Sequence, residues 1–115
     1  MILVVDDQVP VRRAIARMLR AENWQVAEAG SELEAFALIA GGEIDAVLTD
    51  LHLDAGGSGH VVAQHARAHG IAVLTMTGSA VPADLEKPFS SAELMAALER
   101  VLRPVALTAA KGGRR

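Results

Sequence analysis

Cysteine is absent from this 115-residue chain, which excludes disulfides and thiolate metal sites outright. Tyrosine is absent as well, and aromatic residues make up 3%, so almost nothing is available on which nucleic-acid bases would stack. The net charge of -3 offers no basic surface of the kind that attracts polyanions. No apolar run approaches the ~20 residues that a membrane span requires. Met1 leads straight into a short apolar run, without a basic segment or a small-residue cleavage site. No secretory signal is therefore expected, and the expected location is the cytoplasm. The chain has room for one domain, and it contains no internal repeat.

What the chain does contain is a set of short apolar runs that each stop at polar residues. Ala46-Val47-Leu48-Thr49 ends at Asp50 and then breaks into loop. Ile2-Leu3-Val4-Val5 ends at Asp6-Asp7, and Ile71 to Met76 ends at Thr77-Gly78. Continuous β-prone runs of this length suit strands covered on both faces. Open parallel α/β sheets place their chemistry at the carboxyl ends of such strands.

Helical spacing fills the gaps between the runs. From Pro10, the residues Val11, Ile15, Met18 and Leu19 recur on one face, with Arg12, Arg13, Arg17 and Arg20 mostly on others. Trp24 to Glu28 reads as a second strand, with Trp24 serving packing. Ser31 and Glu34 form a capping-box pattern for a second helix that Gly41-Gly42 stops. The third strand is Asp45 to Thr49. Gly56-Gly57-Ser58-Gly59 belongs to a loop, and it lacks the Gly-Lys-Ser/Thr ending of a phosphate-cradling one. A third helix is expected from Gly59 to His69. No helix is expected between Thr77 and Lys87, where strand five can be little more than Asp84 to Glu86. Ser90 with Glu93 then caps a last helix whose Leu94, Leu98, Val101 and Leu102 share a face. Pro104 is expected to end it, leaving residues 104–115 as a mobile, mildly basic tail. Alternation of strand and helix gives an α/β fold with a mainly parallel sheet.

Asp6-Asp7 after strand one, Asp50 after strand three, Thr77 after strand four and Lys87-Pro88-Phe89 before the last helix together resemble the receiver domain of two-component response regulators. The resemblance covers residues 1–103. It implies a flavodoxin-like open five-stranded sheet of order 2-1-3-4-5, with helices on both faces. It further implies that Asp50 accepts a phosphoryl group from a histidine kinase or phosphotransfer protein, and that the domain is a signalling phosphoacceptor and not an enzyme in the usual sense. Asp7 and Asp50 would bind Mg²⁺ directly, Asp6 through water, and the backbone carbonyl of His52 would complete the protein ligands. Lys87 would pair with a phosphoryl oxygen, and the Thr77 hydroxyl would sense it. The physical logic agrees: three converging carboxylates raise one another's pKa unless a cation sits among them, and all-oxygen ligation suits a hard, mostly hydrated Mg²⁺.

The chain departs from that pattern after Thr77. The nine residues between Thr77 and Lys87 are too few for the helix and full strand that receivers place there, so the fourth helix is reduced or absent. The aromatic residue usual three positions before Lys87 is replaced by Asp84, and Glu86 stands beside Lys87, where it could compete for the lysine's charge. Leu53-Asp54-Ala55 replaces the customary Met-Pro, and Gly59 comes one residue late. A missing helix is expected to leave an apolar edge for a partner or a second copy to cover. Output is expected by protein contact with a downstream target, without nucleic acid or membrane.

Other readings stay open. The chain could be a receiver-derived binding module largely uncoupled from phosphorylation. An aspartate-based phosphohydrolase would need a second acid where His52 stands, and a flavin-binding domain would need to place phosphate against Asp6-Asp7-Gln8. His65 and His69, four apart, could share a metal, but no third ligand stands out. The His52 side chain is either solvent-exposed or an influence on phosphoryl lifetime.

Overall fold

Five short strands, every one parallel to its neighbours, form a single sheet in the order β2-β1-β3-β4-β5. The computed structural model describes residues 1–54, 57–78 and 82–113, and of residues 103–113 only the course of the backbone. In chain order the elements are β1 (Ile2–Val5), α1 (Val9–Ala21), β2 (Val26–Ala29), α2 (Glu32–Ala40), β3 (Ala46–Asp50), α3 (Gly59–Ala68), β4 (Ala72–Thr77), β5 (Leu85–Glu86) and α4 (Ser91–Gly113). The fold is a flavodoxin-like open parallel sheet, and the described residues form four helices, the last of them C-terminal.

The continuous apolar runs are explained by two cores, one on each face of the sheet. Ile2, Val4, Leu48, Leu74 and Met76 point to the face covered by α1 and α4, where Leu19, Leu94 and Leu98 meet them. Leu3, Val5, Val47 and Val73 point to the other, against Ile39 of α2 and Val62 of α3. Trp24 does not belong to β2, which begins at Val26; it packs at the margin of the first core. The Ser90–Glu93 box closes in both directions, at 3.0 and 3.1 Å. That of Ser31 closes in one direction, because Glu34 reaches past it to the Gly30 N–H.

One expectation is corrected. The last helix does not end at Pro104 but continues to Gly113. A proline inside a helix forfeits one N–H bond, yet its fixed φ is itself helical, and the following Ala106, Leu107, Ala109 and Ala110 are strong helix formers. The apolar edge expected beside the shortened segment falls partly on residues 79–81, which lie outside the described ones. Among the described residues, the large exposed hydrophobics are Val9, Leu33 and Val61, none of them on β4 or β5. Of the segment between Thr77 and Lys87, none of the described residues is helical.

Candidate functional site

Parallel alignment delivers the ends of β1, β3 and β4 to one edge of the sheet. Asp6 follows β1 and is fully buried, Asp50 closes β3 at 6% exposure, and Thr77 closes β4 at 2%. A buried carboxylate needs partners for its oxygens, and both aspartates have them. Asp6 Oδ1 accepts the Gln8 N–H at 2.9 Å, and Asp50 Oδ1 accepts the His52 N–H at 3.0 Å. The other oxygen of each accepts from the Lys87 ammonium, at 2.8 Å for Asp6 and 2.7 Å for Asp50. Glu86 does not compete for that lysine. It is exposed, and successive residues of a strand point to opposite faces.

Lys87 is half-buried, and burial works against its charge. The hydrogen bonds to Asp50 and Asp6 and their negative charges outweigh that penalty, so its pKa lies above the usual 10.5. Asp7 shows the reverse situation. Burial, the charge of Asp54, a hydrogen bond with it and the charge of Asp6 all raise its pKa, against a smaller opposing contribution from its own backbone. Asp7 therefore holds a proton more readily than an isolated aspartate. Asp54 reaches Asp7 from a left-handed backbone conformation, φ 32°, which aspartate tolerates better than most residues.

Carboxylate oxygens of Asp6, Asp7 and Asp50 lie within 4.8 Å of one another. Asp7 and Asp50 line an open pocket of about 240 Å³ whose walls also include Gln8, His52, Asp54 and Lys87, with Asp6 buried beside it. Among the described residues, this is the group of three or more side chains able to gather around one metal ion. His65 and His69 form no such group: their rings lie 4.6 Å apart, His65 also lies against Phe36, and His69 Nδ1 is spent on the His65 carbonyl. The site residues read from the sequence thus converge, with Thr77 buried behind them and its carbonyl accepting the Lys87 N–H at 2.7 Å.

Two residues were not marked by the sequence. Asp54 stood out only as a departure, and Gly59 only as a glycine out of place. Gly59 opens α3 directly against the end of β3, where any Cβ would overlap the Asp50 carbonyl. Just before it, the Ser58 N–H donates to Glu32 of α2.

The family model described as the response regulator receiver domain matches residues 2–99. The chain belongs to this family. Receiver domains are signalling domains of two-component systems, mostly not enzymes, and they interact with histidine kinases or phosphotransfer proteins. The chain is 35% identical to the phosphate regulon transcriptional regulatory protein PhoB of Pseudomonas aeruginosa, over 89% of this receiver and 51% of that protein. It therefore spans about half the length of that curated relative. Among solved structures, the N-terminal domain of a response regulator/sensory box/GGDEF protein from Carboxydothermus hydrogenoformans has a TM-score of 0.84 at 23% identity, covering 94% of this chain and 98% of that one. A response regulator from Burkholderia pseudomallei, solved with a phosphorylated aspartic acid, a calcium ion and citrate, has a TM-score of 0.75 at 26% identity, covering 96% and 73%. The acidic pocket is of the kind typical of phosphoacceptor domains, and its three aspartates are consistent with the Mg²⁺ site of receivers. No helix of the described residues is long and apolar enough to cross a membrane.

Proposed function

We propose that this receiver accepts a phosphoryl group on Asp50 from a histidine kinase or phosphotransfer protein, in a Mg²⁺-dependent reaction in the cytoplasm, and signals by protein contact. One observation carries the reading: an Asp50 oxygen is held by Lys87 at 2.7 Å in a pocket that Asp7 also lines. The phosphorylated aspartic acid and the metal of the Burkholderia relative support it.

The donor set fits a small, hard dication. It consists of oxygen alone, it is crowded with negative charge, and the pocket leaves room for water. Asp7 and Asp50 would hold the ion directly, Asp6 through water, and the His52 carbonyl would add a ligand. When bound, the ion supplies positive charge that neutralises the oxygens of the incoming phosphoryl group. The remaining work belongs to the chain. An Asp50 carboxylate oxygen attacks phosphorus, the new P–O bond forms as the donor's P–N bond breaks, and the departing imidazole nitrogen takes up a proton. Lys87 turns from the carboxylates to a phosphoryl oxygen as a mobile point charge, and the His52 N–H keeps Asp50 oriented. The Thr77 hydroxyl follows the phosphoryl group and moves the end of β4, which gives the switch its two states.

The test is intact mass after incubation with a small-molecule phosphodonor, with and without Mg²⁺, on the parent and on Asp50→Asn. One Mg²⁺-dependent phosphoryl adduct, absent from the variant, is expected; an equal adduct on Asp50→Asn overturns the reading. A second reading, a binding module little affected by phosphorylation, is favoured by the two-residue β5 and the Asp84 that replaces the aromatic coupling residue. Equal affinity for a kinase partner with and without a phosphoryl-mimicking ligand supports it, and a large difference dismisses it.

A further inference from the structure

A parallel strand of two residues has few backbone hydrogen bonds with which to hold a sheet edge. β5 is such a strand, pairing Leu85 with Met76 and Glu86 with Thr77. The residue directly after it, Lys87, is nevertheless held where one ammonium reaches both Asp6 and Asp50. Its own N–H is pinned to the Thr77 carbonyl. Because backbone groups in a parallel strand face the same side at every second residue, the N–H of Thr75 faces the β5 edge too, and no β5 residue pairs with it. Asp84 takes it instead. The Asp84 Oδ2 accepts from the Thr75 N–H at 2.8 Å and from the Thr75 hydroxyl at 3.0 Å, while Thr75 Oγ1 accepts the Asp84 N–H at 3.1 Å. An aspartate serving only a turn bonds its own backbone two residues on. This one reaches across to the neighbouring strand, nine positions back, with charge-assisted bonds.

We infer that Asp84 is a positioning residue for Lys87: its clasp on Thr75 replaces the missing start of β5 and fixes the lysine beside the acceptor carboxylate. The inference rests on the proposed role of Lys87, but the placement of an amine is measurable without phosphoryl transfer. Both clasp residues lie toward the surface, so the edge is closed without the cost of burying a charge.

The chain has two lysines, Lys87 and Lys111, which makes competitive acetylation read by mass spectrometry a direct probe, with Lys111 as the reference amine. Asp84→Ala is expected to raise the acetylation rate of Lys87 relative to Lys111 by roughly tenfold, the order of effect when charge-assisted bonds against local opening are lost. Asp84→Asn, whose amide oxygen can still accept both bonds, should stay within about twofold of the parent. Ser31→Ala removes a helix cap on another element and should leave the ratio unchanged. Thr75→Val, which keeps the N–H bond alone, should give an intermediate rise and serves if Asp84→Ala does not fold. Parent-like labelling in folded Asp84→Ala or Thr75→Val overturns the inference, as does an equal rise in Ser31→Ala, which would mark a general loss of stability. If the parent gains no phosphoryl adduct while Lys87 labelling follows this pattern, the proposed function falls and the clasp stands.

Discussion

Lys87 is the residue on which the charges of the site balance, since one ammonium answers two buried carboxylates. Removing it leaves Asp6 and Asp50 without their cation. Lys87→Ala should destabilise the divalent-free protein by about 3 kcal/mol in chemical denaturation, the order observed when one partner of a buried pair is lost. Millimolar Mg²⁺ should restore much of that loss. The raised pKa of Lys87 also has a consequence for stability. Its contribution is fully present below the unfolded-chain value near 10.5 and is lost as pH rises through the higher folded value. Unfolding midpoints of the divalent-free parent should therefore fall more steeply above that pH than those of Lys87→Met, and parallel curves would refute the assignment. Asp6, Asp7, Asp50 and Thr77 stood out in the sequence because each closes or follows an apolar run, and such runs align in a parallel sheet; Lys87 stood out only through the resemblance of Lys87-Pro88-Phe89 to the receiver pattern. Asp54 was not legible. Its approach to Asp7 depends on a left-handed turn that composition does not announce.

At the junction of β3 and α3 the two backbones approach closely. The first residue of α3 touches the backbone of Asp50, and only a hydrogen in place of a side chain fits. Gly59→Ala should cost about 2–3 kcal/mol in unfolding free energy, as expected for overpacking against backbone that cannot yield, and should lower phosphodonor reactivity by displacing Asp50. A variant with parent-like stability would show that the loop gives way more easily than its geometry implies. The strands and first three helices were readable from periodicity, with boundaries displaced by one or two residues. The course of α4 past Pro104 was not readable, because a proline forbids one hydrogen bond without forbidding the helical φ. The polar clasp at the β4–β5 edge was equally hidden, since it joins Thr75 in one run to Asp84 in a stretch without periodicity.

For the molecule as a whole, a cation that binds the folded acidic cluster and not the unfolded chain must stabilise the fold. At a hundred times its dissociation constant the gain is about 2.7 kcal/mol. The thermal midpoint should rise on titration with Mg²⁺ and return on chelation, and the rise should be absent from Asp7→Ala. Equal shifts in that variant would assign the effect to general ionic screening. Lys87 also sets the order in which the chain becomes competent. It meets Asp50 across 37 positions and Asp6 across 81, so the site is closed by one of its longest loops. During synthesis, at ~5–20 residues per second, the acidic residues emerge seconds before the lysine that answers them. A chain interrupted between residues 50 and 87 carries the acceptor carboxylate without its counter-charge, and the chemistry prepared by the first strand waits on the last.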